Sequence, residues 1–195
     1  RLAGEKLIPL LLMGAATAFI LGVGMTVTAA YILLAIVLAP ALIGLGLDPI
    51  AVHLFILYWG MISFITPPVA LGAFAAASLA GATPMRTGFE AMRLGSVIYF
   101  LPFFFVLNPA LVLHGDAITI LLEVGSAIVG IVLIASGLQG HLVLLGSFST
   151  DIRSMAARIV LIAGGLALAY PEMASNIAGL AALPAAAILR RQSSD

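Results

Sequence analysis

The sequence predicts an all-α, polytopic transmembrane protein built around a re-entrant helical hairpin and a broken helix. Three observations carry that expectation. First, of the 195 residues 63% are apolar and only 8% are charged, with a mean hydropathy of +1.26. A soluble domain carries about 25% charged residues, so this chain lacks the polar coat that water demands and suits a bilayer instead. Second, the few charges fall at the seams between apolar runs. Third, no stretch alternates apolar and polar residues at the period of two that a membrane barrel needs, which leaves helices as the spanning elements. The formal net charge is zero and no basic patch is interleaved with aromatics, which excludes nucleic acid as a partner. With no cysteine, disulfides and thiolate metal sites are excluded too.

The runs follow in order. Arg1, Glu5 and Lys6 precede an apolar stretch from Leu7 to Val23, and a second stretch runs from Val27 to Leu47, ending at Asp48-Pro49. Residues 7–47 are therefore expected to form the hairpin. The next run, Ile50 to Ala82, is interrupted by Pro67-Pro68 and gives the broken helix, 49–82. A polar stretch with Arg86, Glu90 and Arg93 leads into Leu94 to Leu113, long enough for one spanning helix, 94–113, since a crossing takes roughly 20 residues. These elements make a core, residues 1–115. An extension, 116–195, adds crossings at 118–138, at 159–170 with a start nearer Met155, and at 173–189; residues 140–150 are too few to cross and are expected at an interface. The chain opens on Arg1 without a signal-peptide layout and is expected to be a piece of a longer protein. With the Arg86/Arg93 loop placed in the cytoplasm, Arg153, Arg158, Arg190 and Arg191 fall on the same side, as the positive-inside rule asks, whereas Arg1 and Lys6 do not.

Two places break the rules of an ordinary spanning helix. Gly22-Val23-Gly24-Met25-Thr26-Val27-Thr28 joins two apolar runs without a single charge. A connection meant for water acquires polar residues; one that stays apolar, glycine-rich and hydroxyl-bearing fits the tip of a re-entrant hairpin, where glycine permits non-helical backbone. In Ser63-Phe64-Ile65-Thr66-Pro67-Pro68-Val69-Ala70, adjacent prolines remove two backbone donors, so the carbonyls of Ser63 and Phe64 lose their helical partners. Such carbonyls are tolerated at membrane depth only where they are buried in protein or face a cavity. Broken helices at the midplane are where transporters hold ions through carbonyls and anions through half-helix N-termini. Either break alone is ordinarily a kink or a packing device; two such breaks about 40 residues apart, both with threonines, point to a site.

Three segments carry a family resemblance: Gly22 to Leu34 (GVGMTVTAAYILL), Ser63 to Ala77 (SFITPPVALGAFAAA) and Ala82 to Leu94 (ATPMRTGFEAMRL), with Phe105 to Leu111 (FVLNPAL) in addition. Together they resemble the large membrane subunit of tripartite ATP-independent periplasmic (TRAP) transporters, most closely the fused-subunit form, over residues 5–113. The resemblance implies an elevator-type permease of the bacterial inner membrane. It implies sodium-driven uptake of four-carbon dicarboxylates, sialic acid or related carboxylates, with a periplasmic binding protein and a small membrane subunit, fused or separate, as partners. Thr26 stands where the family's hairpin tip has proline and Val27 where it has its first threonine, so a ligand role carries over to Gly24 and Thr28 but not to Val27. On this basis Gly24, Thr26, Thr28, Ser63, Thr66 and Pro67 are expected to share one sodium site, largely through backbone oxygens. Gly24, Met25, Thr28, Thr66 and Val69 are expected to face the substrate carboxylate, which the half-helices beginning near Thr28 and Val69 would attract. No cofactor is expected beyond Na⁺ as coupling ion. The residues themselves add that no acidic side chain lies inside an apolar run between positions 7 and 113, which favours sodium over protons.

Other features have plainer accounts. His53 is expected as a helix-end residue near Asp48, and Glu123 as one reaching an interface. Asn108-Pro109 reads as a kink whose Asn bonds across helices, and Gly72, Ala76 and Ala80 as a stripe allowing close helix approach. Tyr58 and Trp59 line a cavity or pack. Metal-ligand spacings, a Ser-His-Asp set and paired carboxylates are lacking, so an enzyme is not expected. Two alternatives stay open: a stand-alone ion-coupled carboxylate carrier without a binding protein, and a non-transporting membrane scaffold subunit.

Overall fold

Proline, glycine and asparagine decide where the helices of this chain stop. The structure is a computed structural model describing residues 4–143, 146–148, 151–168, 170 and 172–191. The described residues are helical apart from their connections and one two-stranded antiparallel ribbon, and the chain divides into two compact units, Arg1–Val106 and Leu107–Asp195. The division falls at 106/107, ahead of the expected boundary at 115.

In the first unit, α1 (Gly4–Gly22) and α2 (Val27–Val37) stand where the two legs of the hairpin are expected. The second leg is cut at Leu38 and resumes as α3 (Ala39–Ile43), because Pro40 has no N–H for the preceding turn. Then α4 (Pro49–Met61) starts on Asp48, whose carboxylate accepts from the Ala51 amide at 3.0 Å, with Pro49 at the first helical position. After the second break come α5 (Leu71–Ala80) and α6 (Pro84–Leu94). Leu11, Ala18, Ala30, Leu34, Phe55 and Ile56 are wholly buried, so the core sits where α1, α2 and α4 pack together.

The run expected as a single spanning helix, 94–113, is instead divided. Gly95 ends α6, a 3-10 turn covers Ser96–Tyr99, α7 spans Leu101–Leu107, and a second 3-10 turn covers Pro109–Val112. The bend between Pro84–Leu94 and Ser96–Leu107 is 68°. The physical reason for the later break is local. Pro109 pushes Asn108 into extended geometry, φ −134° and ψ 92°, and the Asn108 side chain caps the Ala110 amide at 3.2 Å.

In the second unit α8 (Ala117–Gln139), α9 (Ile152–Ala167) and α10 (Met173–Arg191) pack consecutively. Helix α9 begins at Ile152, a turn ahead of the expected Met155, because Asp151 caps it through the Ser154 amide. The stretch expected at an interface holds the ribbon His141–Leu142 with Gly146–Ser147. Arg158 donates to the carbonyls of Gly137 (2.8 Å) and Leu138 (2.9 Å), placing a cation on the last turn of α8. Among the described residues, Ala117–Gln139 is the one continuous helix long and apolar enough to cross a bilayer; the other apolar helical stretches, such as Leu7–Gly22, Pro49–Phe64 and Ala174–Leu189, are 10–17 residues long.

Helix α8 starts on Asp116, which accepts from both the side chain (2.7 Å) and the amide (3.1 Å) of Thr119. The hydroxyl bond first, then the amide bond, hold this carboxyl below its ordinary range. A carboxyl with a depressed folded pKa stabilises the fold above its unfolded value, about 3.9, and that contribution is lost as pH falls through the folded value. Protection of the Thr119 amide from hydrogen exchange is therefore expected to be flat above about pH 5 and to fall below about pH 4. Asp116→Asn should remove this pH dependence.

Candidate functional site

Both sequence-predicted breaks are breaks. The first occupies residues 23–26, between α1 and α2. Gly24 turns the chain with φ +76°, a conformation open to glycine at little cost, and the Met25 amide reaches back to the Gly22 carbonyl at 3.4 Å. Thr26 is the N-cap of α2, its hydroxyl accepting from the Ala29 amide at 3.3 Å. The second break runs from the 3-10 turn Ile62–Phe64 through Ala70. Pro67 and Pro68 have no amide protons for Ser63 and Phe64, and the Pro67–Pro68 bond is cis. Ala70 then takes a left-handed conformation, φ 39°, immediately before α5. That residue delays the restart to Leu71, so Val69, expected in the first turn of the half-helix, lies in the turn ahead of it.

The two breaks meet. The hydroxyl of Ser63, 2% exposed, lies 2.9 Å from the carbonyl oxygen of Gly22 and 3.3 Å from that of Gly60. It is bonded to the end of α1 and the end of α4 at once. Such proximity needs glycine: a Cβ added to Gly22 would stand 2.4 Å from the Gly60 carbonyl oxygen. The result is a buried junction of carbonyl and hydroxyl oxygens with no charged side chain in residues 22–28 or 60–70. Oxygens of this kind are hard donors for small hard cations and have no proton to exchange at neutral pH.

Thr66, 8% exposed, is bonded twice: 2.8 Å to the Ile62 carbonyl and 2.6 Å to the Tyr99 hydroxyl. Helix α6 and the bend that ends it lie close against this break. A Cβ on Gly88 would lie 2.7 Å from Cγ of Pro67, and one on Gly95 would lie 2.9 Å from Cδ1 of Ile65. The aromatics before the break are packing residues. Trp59 meets Tyr99 and Phe103 edge to face at 6.1 and 5.9 Å, and Tyr58 meets Phe105 at 5.8 Å.

Of the sequence-predicted residues, Ser63 is thus buried at the junction, Thr66 is buried further along the second break, and Pro67 and Val69 are half-buried in that break. Met25 is half-buried, while Gly24, Thr26 and Thr28 are exposed at the tip between α1 and α2. The Thr26 hydroxyl is engaged as a cap. Sequence reasoning did not single out the partners Gly22, Gly60 and Ile62, which act through backbone carbonyls, nor Tyr99. The one local signal was Gly60-x-x-Ser63, the spacing at which a hydroxyl bonds back onto its own helix.

Two further polar residues depart from expectation. His53 is not a free helix-end group: its Nδ1 is 3.0 Å from the Tyr31 hydroxyl. Glu123, half-buried on α8, accepts from Asn108 Nδ2 at 2.7 Å, which gives a purpose to the buried Asn of the FVLNPAL segment.

The family described as "Tripartite ATP-independent periplasmic transporter, DctM component" matches residues 1–120, well over half of the chain. No curated protein and no solved structure gives a significant match. The matched region contains both breaks, the junction between them and the segment that lies against the second. The chain belongs to the DctM family of tripartite ATP-independent periplasmic transporters: it is a membrane-embedded transport permease component and not an enzyme.

Proposed function

We propose that this chain belongs to the transport core of a sodium-coupled permease that takes up small organic acids, a dicarboxylate or related carboxylate. It would be a multi-pass protein of the bacterial inner membrane, working with a periplasmic binding protein and a small membrane subunit. The coupling ion sits at the junction of the two breaks. The observation that carries the reading is the Ser63 hydroxyl bridging the Gly22 and Gly60 carbonyls, since it brings two interrupted helices to one uncharged, oxygen-rich point. Ser63 and Thr66 are the side-chain contributors, with backbone oxygens of the Thr66-Pro67 turn beside them. Gly24, Thr26 and Thr28, at the exposed tip, are the part of the set that a bound ion or carboxylate would draw in. The N-termini of α2 and α5 carry the partial positive charge that a substrate carboxylate seeks.

The test is uptake into proteoliposomes by the transporter, with and without its soluble partner, under an inward sodium gradient. Thr66→Ala is expected to raise the half-saturating sodium concentration by about tenfold, as loss of one coordinating oxygen worth 1–2 kcal/mol implies. Ser63→Ala should act in the same direction. Sodium activation identical to wild type in both variants defeats the assignment, and uptake that proceeds equally well without the soluble protein favours a stand-alone carrier.

A further inference from the structure

We infer that Tyr99 is a positioning residue for Thr66, and through it sets the affinity of the junction for its cation. The inference rests on the sodium reading above and deepens it. Proton accounting at Thr66 is the starting point. Its hydroxyl has one proton and two lone pairs. It is 2.8 Å from the Ile62 carbonyl, which has no proton to give, so Thr66 must donate there. The 2.6 Å contact with Tyr99 therefore runs the other way, the phenol donating to Thr66 Oγ1. The bonds form a directed chain, Tyr99 to Thr66 to Ile62, whose first link joins residues 33 apart in sequence.

One lone pair on Thr66 Oγ1 is left, and its direction is set by the other two bonds. Without the phenol, Thr66 keeps only its bond to Ile62, the hydroxyl rotates about one partner instead of two, and the remaining lone pair is no longer aimed. Threonine divides between two χ1 wells when it bonds back onto its own helix, so a second anchor matters at this position more than at a stiffer one. Tyr99 is itself held. Its ring lies edge to face on Trp59, and the close approach at Gly88 and Gly95 seats the bent segment against Pro67 and Ile65. The phenol hydroxyl is thus presented to the break by a packed element that contributes no other side-chain hydrogen bond to Thr66.

Sodium itself is the probe, so no substrate identity is needed. Purified transporter in detergent is melted across a sodium series at constant ionic strength, with potassium as the replacement ion, and the rise in Tm gives the half-saturating concentration. Y99F should raise that concentration about threefold to tenfold, the scale of one hydrogen bond, with the Tm in potassium alone little changed because the ring stays packed. T66S, which keeps the hydroxyl, should stay within about twofold of wild type, well inside one hydrogen bond. In the T66A background Y99F should add nothing, since the hydroxyl through which it acts is gone. Y99M, with an apolar chain and no hydroxyl, must give the same sodium shift as Y99F, which covers a poorly folded phenylalanine variant. If T66A shifts sodium affinity and Y99F and Y99M do not, or if the T66A and Y99F shifts add in full, the positioning role is overturned while the sodium site stands. If neither T66A nor S63A shifts it, the sodium reading falls and the role of Tyr99 falls with it.

Discussion

Gly22→Ala is expected to be among the most damaging single substitutions in the first unit. The added methyl would stand 2.4 Å from the carbonyl oxygen of Gly60 and 3.1 Å from its Cα and carbonyl carbon. Those are backbone atoms of α4, which cannot swing aside as a side chain can, so the ends of α1 and α4 must separate. Overpacking of this kind costs about 1–3 kcal/mol. The separation also pulls the Gly22 carbonyl from the Ser63 hydroxyl, leaving a buried group with one partner fewer, at an added cost of about 1 kcal/mol. Thermal melting in detergent should show the loss, and sodium-dependent uptake should be abolished. Two neighbours sharpen the expectation. Gly60→Ala meets Leu34 Cδ1 at 3.2 Å and Ala30 Cβ at 3.6 Å, side-chain atoms that can give, and should cost clearly less. At Gly24 nothing lies within 4 Å, so Gly24→Ala should cost only the strain of φ +76°, about 1–2 kcal/mol. If Gly22→Ala proves as mild as Gly60→Ala, the two breaks do not meet as described.

The second large effect lies in the other unit. Gly164→Ala would set two β-carbons, its own and that of Ala182, 2.2 Å apart, with the Gly179 carbonyl oxygen at 3.1 Å. Helices α9 and α10 are in backbone contact here, the arrangement small residues permit in membrane helix pairs, where dispersion and close approach replace the hydrophobic effect. Prying them apart should destabilise this unit by about 1–3 kcal/mol. The distinctive outcome is the rescue. Ala182→Gly removes the opposing β-carbon, leaving Ala182 Cα at an ordinary 3.7 Å, so the double variant should recover most of the loss. A double-mutant cycle on Tm reads this directly, and a non-additive term near zero would mean that the two positions do not touch. Gly165→Ala has no such remedy. Its methyl would meet the Gly130 carbonyl oxygen of α8 at 2.5 Å, and no side-chain trimming removes a carbonyl.

What was readable from residues and what was not divides along the reach of each interaction. The interruptions at Gly22–Thr28 and Ser63–Ala70 were legible because proline and glycine act on their own backbone: a missing amide or a positive φ needs no neighbour to take effect. The helix start at Pro49 and the span of α8 were legible too, from local composition. The division of residues 94–113 was harder. Its hydropathy says one long helix, and composition over 20 residues outvotes a single Gly95 or Pro109 until the rest of the fold, Ile65 against Gly95 and Glu123 opposite Asn108, is present to reward the bend. The start of α5 was misplaced by two residues because nothing in Val69-Ala70 announces that Ala70 adopts a left-handed conformation.

By itself, then, the sequence determined that this protein lives in a bilayer, that it is helical, where its helices fail at two points, and that it resembles a transport family. Those properties follow from composition and from local backbone chemistry. Only the tertiary structure decided that the two failures share one place, that Gly22 and Gly60 stand carbonyl to backbone around Ser63, and that Tyr99 reaches Thr66 from 33 residues away. Contacts of that kind depend on how helix faces pack, and in a chain where nearly every face is apolar the hydropathy pattern carries almost no record of which face meets which.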